Sequence, residues 1–173
     1  ECSRSLKQAW QLLRVWQRKE PPNRVLPISP LILLGFARLM AAAGLWEGAA
    51  LLVVGFDCFL RTGEMCGLCV RDVQIFSRNR AVIKLTQTKS SMRRLGTEMV
   101  VCESALGVKL LQRAIKGKQP QELILPISIA KFRSMFKCCC SMFDLNNMSM
   151  YSLRRGGATW NFLSHGSMEI TLL

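Results

Sequence analysis

Residues 59–65 read Phe-Leu-Arg-Thr-Gly-Glu-Met, and the sequence pattern differs on the two sides of this stretch. On its N-terminal side, apolar residues recur at helical spacing. Ser29-Pro30 is a typical helix start, with serine as the N-cap and proline in the first helical position, and Gly44 is a typical stop for a helix over 30–43. A second buried helix is predicted over 46–60. The stretch therefore marks where a helical region ends.

On the C-terminal side, β-branched and apolar residues occur in short runs that polar turns separate. This pattern predicts three antiparallel strands, at about residues 72–76, 80–87 and 97–102. Helical spacing then returns, and Ser128 and Gly166 are expected to begin and end helices there. The predicted helices cover residues 106–115, 128–143 and 152–164. The fold class expected is mainly α with a small three-stranded antiparallel sheet (α+β).

Composition limits the function classes. The 173 residues include 24 Lys+Arg against 11 Asp+Glu, a net charge of +13, and 50% are hydrophobic. Such a chain can bury a core, so it is not a disordered basic tail, and its charge calls for a polyanionic partner. The longest uncharged stretch, 25–37, is shorter than the roughly 20 residues of a membrane span. The first residues contain no secretion signal.

The eight cysteines do not follow the spacing of a disulfide framework, since residues 138–140 are three consecutive cysteines. A reducing compartment, nuclear or otherwise intracellular, is therefore expected. Cys66 and Cys69 form one CxxC, but a zinc site needs four ligands and the only histidine, His165, is distant in sequence. Buried thiols are the simpler interpretation, and no metal or other cofactor is expected.

Several basic residues fall where apolar helices end or where a hairpin turns. Guanidinium and ammonium groups in such positions suit phosphate oxygens, which arginine binds bidentately. Any one of them could belong to a solvated basic face, but the set indicates a polyanion. Its members are Arg61, Lys89, Arg93, Arg94, Arg154 and Arg155.

Three segments resemble the tyrosine recombinases, the phage-integrase-like enzymes. Residues 59–65, followed by Leu68 and Arg71-Asp72-Val73, resemble the first arginine motif of the family. Residues 86–90, Thr-Gln-Thr-Lys-Ser, resemble the hairpin that carries the catalytic lysine. Residues 151–159, Tyr-Ser-Leu-Arg-Arg-Gly-Gly-Ala-Thr, resemble the H-x-x-R box in the form found in eukaryotic relatives. The three occur in the family's order.

The resemblance implies a domain organisation. Residues 29–173 would form an incomplete catalytic domain with the fold of the DNA breaking-rejoining enzymes, and residues 1–28 the end of a preceding DNA-clamping domain plus a linker. In this family a tyrosine attacks the scissile phosphate, leaving a 3′-phosphotyrosyl link that a 5′-hydroxyl later displaces. The partner implied is duplex DNA, with self-association on DNA in the full-length protein.

The same resemblance implies roles for individual residues. Arg61 and Arg154 would stabilise charge on the non-bridging oxygens, and Lys89 would protonate the departing 5′-oxygen. Glu64 would be structural, pairing with a nearby cation or capping the backbone. The remaining basic residues of the set would contact DNA: Arg93, Arg94 and Arg155.

Two departures from the family pattern matter. Tyr151 occupies the box position usually held by histidine, and a phenol, with an ordinary pKa near 10, is a poor proton shuttle at neutral pH. The second departure concerns the nucleophile, which in the family lies well downstream, beyond residue 173. Tyr151 is not assigned this role. DNA binding without cleavage is therefore expected of these residues. His165 is expected to satisfy carbonyls at the end of its helix.

The first hypothesis is a DNA-binding catalytic-domain fragment of a site-specific tyrosine recombinase or integrase, derived from a mobile element. The alternative is a non-catalytic DNA-binding relic of such an enzyme, which the tyrosine at position 151 favours. A third hypothesis, an RNA-binding helical protein, predicts tighter binding to structured RNA than to duplex DNA.

Overall fold

The computed structural model describes residues 10–12, 15, 25–85 and 98–166. Three of the predicted site residues lie outside this part of the chain: Lys89, Arg93 and Arg94.

From residue 25 to residue 166 the described chain is mainly helical and contains one small sheet, which confirms the predicted fold class. The helices are α1 (Pro30–Ala42), α2 (Trp46–Asp57), α3 (Thr62–Gly67), α4 (Ala105–Ile115), α5 (Ile129–Met142) and α6 (Tyr151–His165), with a 3₁₀ turn at Val70–Asp72. The strands are β1 (Val73–Ser77), β2 (Arg80–Leu85) and β3 (Glu98–Cys102).

The sheet is antiparallel, in the order β1-β2-β3. The central strand, β2, pairs Ile83 with Val73 on one side and with Val100 on the other. Alternate residues of β2 are buried, namely Ala81, Ile83 and Leu85, because successive side chains of a strand point to opposite faces. One face of β2 therefore packs on the core.

The centre of the core is α2. Nine consecutive residues, 48–56, are buried, so this helix is apolar on all sides and is surrounded by others. It packs against α1, α4 and α6. No helix in the described ranges is both long and apolar enough to cross a membrane.

The predicted helix ends are largely confirmed. The hydroxyl of Ser29 accepts a hydrogen bond from the N–H of Ile32, and that of Ser128 accepts one from Lys131. Gly166 ends α6 with a φ of +66°, a conformation that favours glycine. His165 Nδ1 lies 3.0 Å from the carbonyl oxygen of Asn161, so its predicted role at this helix end is confirmed.

Residues just before α1 pack with the helical domain. Ile28 is 2% exposed, and its N–H donates a hydrogen bond to the carbonyl oxygen of Ser152 in α6. The predicted domain boundary after residue 28 stays a prediction, but the end of the predicted linker contributes to the core.

Candidate nucleic-acid interface

The turn between α2 and α3 sets the position of Arg61. The prediction that α2 extends to residue 60 was wrong, because the helix ends at Asp57 and Phe59 adopts a left-handed φ of +53°. The N–H of Leu60 donates to the carbonyl of Gly55 at 3.0 Å, which closes a Schellman-type turn. A left-handed conformation costs a non-glycine residue roughly 1–2 kcal/mol. The turn places Arg61 immediately before the first residue of α3.

Glu64 holds Arg61 in two ways. One carboxylate oxygen accepts a hydrogen bond from the backbone N–H of Arg61 at 2.7 Å, and the other lies 2.6 Å from its Nη1. The side chain of Glu64 is 6% exposed, whereas that of Arg61 is 44% exposed. The buried carboxylate thus caps α3 and orients a guanidinium that remains open to solvent. The predicted structural role of Glu64 is confirmed.

The two glycines after Arg155 bring α6 close to α2. A β-carbon on Gly157 would overlap the carbonyl oxygen of Phe56, and one on Gly156 would overlap that of Ile28. Only glycine permits backbone segments to approach so closely. The Arg-Arg-Gly-Gly sequence therefore places two basic residues directly before the glycines through which the start of α6 packs.

These contacts bring Arg61 and Arg154 to one open cleft of about 700 Å³. Tyr151, the first residue of α6, lies at the same cleft and is 58% exposed. Three predicted site residues, from two distant parts of the sequence, thus share one surface. The apolar lining comes from Leu60, Phe136 and Met150.

The cleft also contains two basic residues that the sequence did not identify as site residues. Arg133 and Lys137 line it from α5, and both are exposed. They are four residues apart, so they lie on the same face of the helix. A basic pair at this spacing resembles an ordinary solvated helix face. Only the placement of α5 beside α3, with residues of α6 lining the same cleft, reveals the site. The sequence offers one signal for this pair, which is that Arg133 and Lys137 each directly follow a phenylalanine, and these phenylalanines form the buried face of α5.

The cleft is electrostatically one-sided. Four of its lining residues are cationic, and none of the lining residues found among the described positions is acidic. The ion pairs within the described ranges include Arg61 with Glu64 but none with Arg133, Lys137 or Arg154. A concave surface with several like charges raises the local concentration of a ligand of opposite charge. Chemically, this arrangement is suited to binding anions.

Arg155 has a different position from its neighbour. Its Nη1 donates a hydrogen bond to the carbonyl oxygen of Val25 at 2.6 Å, and it is not among the residues that line the cleft. This contact joins the segment before α1 to α6. The side chain thus has a structural function that the sequence does not predict, while its predicted contact with DNA stays a prediction.

The CxxC pair lies beside this region. In the described part of the chain, no group of three or more His, Cys, Asp or Glu side chains is arranged to hold a metal ion. Burial raises the pKa of the Cys66 thiol, an effect that the nearby charge of Arg133 opposes. A protonated, buried thiol is chemically inert, as the sequence suggests for Cys66.

No protein-family model matches the sequence, and comparison with curated proteins finds no match either. Solved structures do match. XerH site-specific recombinase, in a post-cleavage complex with palindromic difH substrate, has a TM-score of 0.63 at 12% identity, covering 86% of this chain and 46% of the XerH chain. XerA recombinase has a TM-score of 0.64 at 14% identity, covering 84% and 54% respectively.

The Tn1549 transposon integrase, in complex with circular intermediate DNA, has a TM-score of 0.64 at 13% identity. The match covers 88% of this chain and 57% of the integrase chain. This chain therefore spans about half the length of these recombinases. Its fold is similar to that of these recombinases, which confirms the fold expected from the resemblance.

Proposed function

We propose that this chain binds duplex DNA as the catalytic-domain portion of a tyrosine recombinase or integrase, and that Arg61 and Arg154 bind one phosphodiester between them. The observation that carries the proposal is the shared cleft. Two arginines from distant parts of the sequence line it, and none of its described lining residues is acidic.

The geometry suits a phosphodiester. Arg61 reaches the cleft from the start of α3 and Arg154 from the first turn of α6, so two guanidinium groups can donate to the non-bridging oxygens. Glu64 fixes the orientation of the first guanidinium before DNA arrives. Donors held in place stabilise the negative charge that develops when a phosphodiester is attacked. By resemblance, Lys89 would supply the proton to the leaving oxygen.

Charge and structural likeness both support DNA as the anion. The net charge is +13, and the structurally similar XerH and Tn1549 proteins were solved in complex with DNA. Binding that neutralises phosphates releases counterions, so affinity should fall steeply with salt. Duplex DNA is therefore the first ligand to test.

The test compares the wild-type chain with Arg61→Gln and Arg154→Gln. Affinity for a duplex of about 20 base pairs is measured at several salt concentrations. Each variant should bind more weakly. In a variant that carries both substitutions, the slope of log affinity against log salt concentration should be shallower by about 0.9, the contribution of one phosphate. Lys109→Gln is the charge-matched control, because Lys109 is exposed on α4 and does not line the cleft.

Two results would contradict the proposal. One is a flat salt dependence of the wild-type chain, and the other is an effect of the arginine variants no larger than that of the control. A structured RNA hairpin should be included, because tighter binding to RNA than to duplex DNA would support the RNA-binding alternative instead.

A second candidate function is DNA binding without chemistry. It is favoured by Tyr151, which lies at the cleft in the position where the family has histidine, the side chain best suited to acid–base work near neutral pH. Incubation with a nicked suicide duplex, followed by denaturing electrophoresis, tests it. We expect no covalent adduct. An adduct would establish strand cleavage, and its loss in Tyr151→Phe would identify the nucleophile, since the sequence has one tyrosine.

We infer an origin in a mobile element, self-association on DNA in the full-length protein, and a reducing intracellular or nuclear location. The cysteines of the described residues are free thiols, which supports the last of these.

A further inference from the structure

We propose that Arg133 and Lys137 on α5 bind a second backbone phosphate of the DNA, adjacent to the one that Arg61 and Arg154 bind. This inference rests on the proposed DNA-binding function. It assigns a role to two residues that lie outside all three motif segments.

The direction of the two side chains is fixed by core packing. Phe132 and Phe136, which precede them by one residue each, are buried, with exposures of 0% and 1%. Phe136 also packs edge-on against Phe36 of α1, with ring centroids 5.3 Å apart. Because α5 cannot rotate without exposing these rings, Arg133 and Lys137 are held at the cleft.

The charge balance of the cleft calls for more than one phosphate. Arg61 has a carboxylate partner in Glu64, but the ion pairs of the described residues include none for Arg133, Lys137 or Arg154. One phosphodiester carries a single negative charge, so it would leave the cleft cationic. Like charges one helical turn apart repel each other and weaken a helix slightly, an effect that a bound anion would relieve. A second phosphate provides that anion.

The dimensions of the cleft agree with this stoichiometry. Clefts of about 300–1,000 Å³ hold drug-sized ligands, so a cleft of about 700 Å³ has room for more than a single phosphate. The exposed part of its lining includes three small residues, Gly63, Ala130 and Ser134, which leave the cleft open to a sugar–phosphate backbone. The basic pairs reach the cleft from different elements, Arg61 and Arg154 from the starts of α3 and α6 and the other pair from α5.

The experiment measures the salt dependence of duplex binding for four proteins. These are the wild-type chain, Arg133→Gln with Lys137→Gln, Arg61→Gln with Arg154→Gln, and the quadruple variant. Each double variant should reduce the log–log slope by about 0.9, and the quadruple variant by about twice that. In 0.1 M salt each double variant should bind roughly tenfold more weakly. The control is Lys109→Gln with Lys116→Gln, which removes two exposed charges outside the cleft.

The outcomes are distinguishable. If the wild-type chain does not bind DNA, both the proposed function and this inference fail. If it binds but the α5 variant behaves like the control, only this inference is overturned. If the quadruple variant loses no more slope than one double variant, all four residues bind the same phosphate, and the inference is likewise overturned. Melting temperatures establish that each variant is folded, which the exposure of both side chains leads us to expect.

Discussion

The backbone carbonyl of Phe56 lies directly against Gly157, at a separation that leaves no room for a β-carbon. Phe56 belongs to α2, shortly before Arg61, and Gly157 follows Arg154 in α6. The ring of Phe59 packs at the same point, 2.8 Å from where that β-carbon would be. This contact therefore sets the distance between the two arginines of the cleft.

Gly157→Ala should destabilise the fold and disturb the cleft together. The added methyl group would meet backbone atoms that cannot rotate away, and overpacking of this kind costs about 1–3 kcal/mol in the free energy of unfolding. Urea denaturation measures the loss. DNA affinity should also fall under conditions where the variant is still folded, because α6 must shift relative to α2.

Gly67→Ala is the matched control, since nothing lies within 4 Å of its β-carbon position and its φ is not positive. It should change the free energy of unfolding by less than about 0.5 kcal/mol. Equal losses in the two variants would show that the close approach at Gly157 has no special importance.

Glu64→Ala should cost more stability than Glu64→Gln. The glutamine keeps an oxygen that can accept from the backbone N–H of Arg61, whereas alanine removes this bond, which is worth about 1 kcal/mol. The ion pair itself should contribute only about 0.2–1 kcal/mol, because the side chain of Arg61 is 44% exposed. A double-mutant cycle with Arg61→Gln, followed by urea denaturation, separates the two contributions. Identical stabilities of the alanine and glutamine variants would show that the cap contributes nothing.

Elements with a strong local signal were predictable from the sequence. Ser29 and Ser128 cap helices because a serine hydroxyl satisfies an N–H that the first helical turn leaves unpaired. The end of α2 was not predictable in this way. Its left-handed position holds Phe59 rather than glycine, and the contacts of that ring with α6 stabilise a conformation that the sequence alone disfavours.

The site was predictable only in part, and for a related reason. Arg61 and Arg154 lie in segments with a distinctive local pattern, so sequence reasoning identifies them. Arg133 and Lys137 join them only through the packing of helices that are distant in sequence. Arg155 looks equivalent to Arg154 in the sequence, yet one step along a helix turns its side chain toward Val25.

Asp57→Asn should increase stability at neutral pH. Burial raises the pKa of Asp57 above its ordinary value, a hydrogen bond with Ser104 opposes this effect, and Oδ2 is buried with no hydrogen-bond partner among the described residues. Because the pKa of Asp57 is higher in the folded than in the unfolded state, the protonated carboxyl contributes to stability, and this contribution is complete below the unfolded-state pKa. It is lost as the pH rises through the folded-state pKa.

The asparagine side chain carries no charge at any pH. The gain in the free energy of unfolding over the wild-type chain should therefore be largest near pH 7. It should shrink as the pH falls through the folded-state pKa and approach a constant value below about pH 4, near the ordinary pKa of aspartate. Urea denaturation of both proteins across this range measures the difference. An advantage that is independent of pH would show that the charge of Asp57 is not the cause.

The adjacent arginines of α6 should separate stability from DNA binding. Arg154→Gln removes a cation from the cleft but none of the hydrogen bonds seen within the described residues, so it should weaken DNA binding and leave the unfolding free energy nearly unchanged. Arg155→Gln removes the bond to the Val25 carbonyl, and a hydrogen bond to a charged group is worth about 1.5–3 kcal/mol. It should lower stability and change the salt dependence of DNA binding less than Arg154→Gln does, because the bond to Val25 holds its guanidinium away from the cleft. Since each variant removes one positive charge at neighbouring positions, each is the control for the other. Equal effects of the two on DNA affinity would show that the position of Arg154 at the cleft has no special importance for binding.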